Sequence, residues 1–278
     1  MNVKTLKKQL MAAIAMVLVA AIALGSSTYA WFVSNNTVTA QTTNISAQSN
    51  SAYLVIQEKT ETQTATDSTS TSAATAADTT AVKLYPAQVV NGTTNGTYKF
   101  ESAYAAKASE ALEKVNTRFT VGTDGSATEA VSNNYAHQDT FYIGTGGYDG
   151  TFSNLKVESV QVSAADSQKA ELVNAMRVLI VCGDNWTVWK NGAEVTTVAK
   201  LNEGGNATTD TALTAKYADT ASKSIASSVS KGNDVTVDIY VFYDGAEDEV
   251  NSDNLADLAD CGVTVTFTAT PTQPGNNS

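Results

Sequence analysis

The sequence predicts a mainly β protein, an antiparallel β-sandwich of jelly-roll type with one or two short helices in its connections. Three observations predict it. Val235, Val237, Ile239 and Val241 alternate with Thr236, Asp238, Tyr240 and Phe242, and Val263, Val265 and Phe267 alternate with Thr264, Thr266 and Thr268. A period of two with β-branched filling is the pattern of a strand. Asn191-Gly192 stands between apolar segments at 186–189 and 194–198, a hairpin signal because both central residues of a type I′ turn need positive φ. Finally, many short strand signals are joined by long irregular connections with few helical stretches, as in layered all-β architectures.

In chain order, short β signals come first, at Thr37-Val38-Thr39-Ala40, Asn44-Ile45-Ser46-Ala47 and Ala52-Tyr53-Leu54-Val55-Ile56, broken by Asn and Ser. The third is apolar on both faces and reads as a buried strand, whereas the first two alternate and suit an edge. Residues 60–80 follow, and 17 of these 21 are Ser, Thr or Ala. Such a tract buries too little apolar area to offset chain entropy, so it reads as a loop. Strand pieces at 82–90 and 97–100 flank the turn residues Asn91-Gly92 and Asn95-Gly96. Residues 103–115, with Ala108, Leu112 and Val115 on one face, predict a helix. Strands resume at 118–121, 140–144 and 151–162. A short helix is expected at 166–174, leading into the nearly continuous apolar run 176–182, which belongs in the core.

The chain has 278 residues, 42% hydrophobic and 16% charged, with 28 acidic and 17 basic side chains and a formal charge of -11. That composition supports a core and excludes a collagen-like or disordered polymer. An acidic chain without clustered Lys and Arg is not a nucleic-acid binder, because phosphate contacts need such clusters. The charges are uneven. Lys4, Lys7 and Lys8 precede the charge-free run 10–24, the small-residue stretch from Gly25 to Ala30 follows it, and the first acidic residue is Glu58. This three-part pattern predicts a secretory signal over 1–31, with signal peptidase as a partner and the membrane met only through that segment. The exported part, 32–278, is expected to form one β-sandwich domain. Without the three lysines it holds 14 basic and 28 acidic residues, a formal charge of -14. Left uncleaved, the same run would anchor the protein. Cys182 and Cys261 suit an oxidising exterior, either as a disulfide or as two buried thiols.

Catalytic chemistry is tested by subtraction. His137 is the single histidine, two residues from Asp139, so a zinc protease lacks its second imidazole. The expectation is a non-enzymatic protein with no catalytic residue and no cofactor. Asp244, Glu247, Asp248 and Asp253 gather hard oxygen ligands after the 235–243 strand, a candidate for weakly held calcium. Their spacing does not match an EF-hand, and a solvated acidic connection is the simpler reading.

The exit residues Gly25-Ser26-Ser27-Thr28-Tyr29-Ala30-Trp31-Phe32, followed by Asn35-Asn36 and the Val38-Thr39-Ala40 strand, resemble the SipW-type signal of TasA/camelysin-like secreted fibre proteins. The segment 234–243, its Asp244-Gly245 exit, the acidic loop and the strand 262–269 resemble the closing strands of that group. The resemblance covers the two ends of the chain and leaves 58–172 unmatched. It implies processing among Ala30, Trp31 and Phe32. The family pattern starts the mature chain at Phe32, and the small-residue rule cuts after Ala30. It also implies jelly-roll subunits of an extracellular biofilm-matrix fibre, each donating a freed N-terminal strand to the sheet of its neighbour. Val33, Val38, Ala40 and Ile45 would then fill the neighbour's groove. The leading expectation is therefore a secreted structural subunit whose partner is itself. The alternative is a membrane-anchored monomeric surface module that binds a protein or carbohydrate through Tyr142, Tyr148, Trp186 and Trp189, aromatics that equally suit a core.

Overall fold

Period-two alternation puts successive side chains on opposite faces of a strand, and in this chain both faces of the central sheet are covered. The computed structural model describes residues 42–49, 54–59, 73–76, 84–102, 119–146, 148–164, 172–199, 211–247, 250 and 261–272. One sheet has the order β14 (Ala226–Ser230), β8 (Thr151–Ala164), β16 (Cys261–Thr272), β1 (Thr42–Ser49) and β3 (Ala73–Thr75). The second has the order β11 (Ala193–Glu194), β10 (Asn185–Lys190), β9 (Met176–Cys182), β15 (Val235–Tyr243), β7 (His137–Gly144) and β2 (Val55–Glu58). A small third sheet joins β4 (Gln88–Asn91), β5 (Tyr98–Ser102) and β6 (Phe119–Thr120), and β12 (Thr197–Val198) pairs with β13 (Thr211–Ala212). The described helices are short, α1 (Ala127–Ser132) and α2 (Leu172–Ala175). The protein is thus mainly β, and its sheets are antiparallel except where β1 runs parallel to β16.

Two cores follow from the alternation. Val178, Ile180, Val237, Ile239 and Val241 of the second sheet meet Ile45, Leu155, Val160, Val263 and Phe267 of the first. The opposite face of the second sheet carries Leu179, Trp186, Val188, Tyr240 and Phe242, which meet Val89 and Phe100 of the third sheet and Ala130 of α1. A three-layer stack results. The strand β15 alternates between two cores, aliphatic on one side and aromatic on the other, so its Tyr240 and Phe242 do not face solvent as they would in a two-layer sandwich. Aromatic edges knit the second core: Phe100 lies 5.3 Å from Phe242 and Tyr98 lies 5.2 Å from Trp186, both edge-on.

The structure departs from the sequence reading in three places. Residues 73–75, inside the expected loop, form β3 against β1. Backbone pairing needs no large side chains: Ala73 and Thr75 are exposed, Ala74 is half-buried, and Ala76, just past the strand, is the buried one at 3% exposure. The 191–192 turn joins Lys190 to Ala193, but only Gly192 has positive φ, at 75°, so it is not type I′. The turn is docked instead: Gly192 N–H donates to Val160 O at 2.8 Å, and Val162 N–H donates to Asn191 Oδ1 at 3.0 Å. The segment 166–174, expected to be a helix, is helical in its described part, as α2. Finally, α1 falls where only a connection was read. The expected helix at 103–115 and strand at 37–40 lie outside the described residues.

Candidate functional site

Of the residues expected to form the donated strand, Val33, Val38 and Ala40 lie outside the described residues, as do Ala30, Trp31, Phe32 and the run 10–24. No helix among the described residues is long and apolar enough to cross a membrane. Ile45 is described, and within this chain it fills its own core at 2% exposure. Its strand lies along β16, with Ile45 opposite Val263 and Ala47 opposite Val265, and its other edge is closed by the three residues of β3.

The start of the acidic loop is not the solvated connection that was the simpler reading. Asp244, 7% exposed, accepts from Gln88 Nε2 at 2.7 Å and lies 3.3 Å from Arg177 Nη2, and Glu247 also pairs with Arg177. Asp248 and Asp253 lie outside the described residues. The two described carboxylates therefore serve a buried guanidinium, which fixes the exit of β15 to the start of β9. Among the described residues no group of three His, Cys, Asp or Glu side chains could hold a metal.

Cys182 is a free thiol, so it makes no disulfide with Cys261. It sits in the second sheet, whereas the Cys261 backbone opens β16 in the first, opposite Ala164. Burial, aided by the Asp238 carboxylate, pushes the Cys182 thiol up to about 11. At neutral pH it is a protonated, inert group. His137 Nε2 lies 3.4 Å from Asp139 Oδ2 on β7, both side chains nearly covered. Neighbouring β7 side chains bind another carboxylate: Asp238 Oδ1 accepts from Thr140 Oγ1 at 2.5 Å and from Gln138 Nε2 at 3.0 Å.

The four aromatics separate. Trp186 is 1% exposed and donates from Nε1 to Gly96 O at 3.0 Å. Tyr142 is buried, and Tyr148 leans on Phe152 at 5.6 Å. Trp189 alone of the four lines an open cleft of about 730 Å³ at the flank of the sandwich. This volume falls among those of small-molecule sites, roughly 300–1,000 Å³. One wall comes from β10 and the 217–223 segment, where Tyr217 hydroxyl donates to Glu194 Oε1 at 2.5 Å and stands 3.1 Å from Thr187 Oγ1. Lys223 Nζ reaches the other Glu194 oxygen at 2.6 Å. The facing wall comes from β8 and β16 and carries Asn154, Lys156, Glu158, Thr268 and Thr270. Burial, reinforced by the bond to Glu194, raises the Tyr217 phenol well above the ordinary range.

The strand geometry opens this cleft. The β14 ladder on β8 stops at the Ala226–Leu155 pair, and the docked 191–192 turn meets β8 at Val160 and Val162. Of the two register shifts of the β8–β16 ladder, the one at Thr266/Phe267 falls between them, and the one at Thr268/Thr270 lies beside the end of the β14 ladder. Bulges of this kind re-aim side chains. Tyr217, Glu194, Lys156 and Lys223 carry no sequence motif, since bulges and ladder ends bring them together. No protein-family model matches the chain, and no curated protein matches it.

Proposed function

We propose that the protein is exported and serves as a structural subunit of an extracellular matrix or surface fibre, assembling by exchange of its N-terminal strand between copies. The observation that carries this reading is the seat of β1. It is the first described strand, it follows the leader-exit segment, and it is inserted between the C-terminal strand β16, to which it runs parallel, and the three-residue β3, to which it runs antiparallel. A neighbour's identical strand would meet the same partners, Val263 and Val265, and the same backbone groups. Exchange between protomers then costs little contact energy, and a head-to-tail exchange that does not close yields a filament. The leader pattern and the resemblance of the chain ends to TasA/camelysin-like fibre proteins support the same reading.

The test is to lock the strand at home. In a Cys182→Ala, Cys261→Ala background, Ala47→Cys with Val265→Cys places two thiols at directly paired positions. Reduced protein is expected to form fibres in negative-stain images, and oxidised protein to stay monomeric on size exclusion. Fibres growing from the oxidised monomer would refute strand exchange. N-terminal sequencing of exported protein is expected to begin at Trp31 or Phe32, whereas an intact lysine-bearing start would favour a membrane-anchored module.

A further inference from the structure

We infer that the cleft between Trp189–Tyr217 and the β8–β16 wall binds a short segment of neutral polysaccharide. This goes beyond the fibre reading and does not depend on it.

Three features converge on the cleft, two of them meeting at Asn154, which lies within the second β8–β16 register shift. Two of the three non-glycine residues with positive φ among the described residues, Asn154 at 57° and Lys223 at 54°, line it. Such conformations cost of order 1–3 kcal/mol each and gather at functional sites. Both bulges of the β8–β16 ladder lie on its wall. The indole Nε1 of Trp189 is buried with no hydrogen-bond partner among the described residues, a state that is rare for a polar atom and expensive to maintain.

The lining selects the ligand class. Lys156 and Lys223 are balanced by Glu158 and Glu194, so the cleft has no net charge on a chain of -11, which argues against a polyanion or a cation. Charged and hydroxyl groups on both walls make it unsuited to a lipid tail. What remains is a neutral ligand that both donates and accepts hydrogen bonds around a flat apolar face. A hexose unit has that shape: its hydroxyls suit charge-assisted bonds to lysine and glutamate, and its C–H face suits the half-buried rings of Trp189 and Tyr217. Glu194, held by Tyr217 and Lys223, is already oriented, so little side-chain entropy is lost on binding.

The experiment titrates the exported chain with hexasaccharides of glucose, mannose, galactose and N-acetylglucosamine, and with hexagalacturonate, following tryptophan emission and calorimetric heat. Trp186 is sealed in the second core, so Trp189→Phe separates the cleft signal from the rest. At least one neutral hexasaccharide is expected to bind at millimolar or lower concentration and to change the Trp189 component. Because Trp189 also supports the first core, the second variant changes only exposed groups: Lys156→Ala with Thr270→Ala is expected to keep the melting temperature and weaken binding about tenfold. Absence of binding by every neutral hexasaccharide, binding unaffected by the double variant, or preference for hexagalacturonate would each overturn the proposal. So would a Trp189 change produced only by an alternating Thr-Val decapeptide, which would assign the open stretch of β8 to strand addition instead.

Discussion

Glu129 accepts from the backbone N–H groups of Thr123 at 2.8 Å, Asp124 at 2.9 Å and Gly125 at 3.2 Å. Ser126 caps α1 by accepting from Glu129 N–H at 3.3 Å, while Ser126 N–H goes to Asp124 Oδ1 at 2.8 Å. Ser126-Ala127-Thr128-Glu129 has the spacing of a capping box, a start signal that stands in the sequence although only a connection was read there. The extension of the carboxylate to three earlier donors has no such signal, because it depends on Gly122 turning with φ of 64° so close that a Cβ would meet the carboxylate at 2.4 Å. Glu129→Ala strands those donors and is expected to lower stability by about 1–3 kcal/mol in urea unfolding, and an unchanged midpoint would show that water replaces the carboxylate at no cost. Arg177 is a stricter case. Its acidic partners were visible as a cluster, yet their common cation lies 67 residues or more away in sequence and is known only from the fold. Arg177→Met leaves Asp244 buried without its countercharge, with an expected loss of about 3–5 kcal/mol. Asp244→Asn added to that variant is expected to recover part of the loss, since it removes the stranded charge, and a double variant no better than the single would reject the clamp.

Among the elements, legibility follows from what holds each strand. The strands β15 and β16 are held by β-branched side chains whose alternation is written in the sequence, and β9 by a nearly continuous apolar run, and they fall at 235–243, 261–272 and 176–182. The strand β3 is held by its backbone pairing with β1, which leaves no signature in an Ala- and Thr-rich tract. The same holds for the cleft, whose walls arise where ladders end and bulge. The turn at 191–192 lies between these cases: Asn-Gly announced a hairpin, but its contacts with β8 chose the turn type. A Cβ added at Gly192 meets nothing within 4 Å, so Gly192→Ala reports only the strain of positive φ, an expected loss of about 1 kcal/mol. Asn191→Ala removes the acceptor for Val162 N–H and is expected to cost about 1 kcal/mol as well. Both are checked by urea midpoints. Since Gly192 lines the cleft, Gly192→Ala tests whether the turn also positions Glu194, and Lys223 contact with Glu194 surviving in its structure would limit the effect to the backbone.

At the scale of the whole molecule, the sequence pattern indicated a sandwich and concealed its third layer, because an apolar outer face on β15 is ambiguous between an exposed aromatic stripe and a second core. The aromatic second core carries a pH dependence of its own. Burial, aided by the Asp238 carboxylate, pushes the Tyr98 phenol up to about 12 and raises Tyr240 further. An unfolded tyrosine ionises near 10, so above that pH the unfolded chain holds fewer protons than the folded one, and stability falls as pH rises. The contribution is fully present below pH 10 and is lost from there through about 12, with no counterpart on the acid side from these groups. Of the 11 tyrosines, exposed ones are expected to give phenolate absorbance near pH 10, while Tyr98 and Tyr240 ionise only as the third sheet separates from the second, so the late absorbance step should coincide with loss of the aromatic circular dichroism. Ionisation of all tyrosines near pH 10 with the fold intact would contradict a sealed second core. The proposed assembly would have the opposite lever. If the chain is processed as proposed, its charge of -14 repels its copies, and at physiological ionic strength the Debye length is about 8 Å, so added salt would leave the proposed strand pairing untouched while screening the repulsion. Fibre growth followed by light scattering is therefore expected to accelerate from low salt to about 0.15 M and then to level off, because screening beyond contact distance removes little further repulsion. Growth that slows steadily with salt would mean that attraction between charged surfaces, and not exchange of an apolar strand, drives the subunits together.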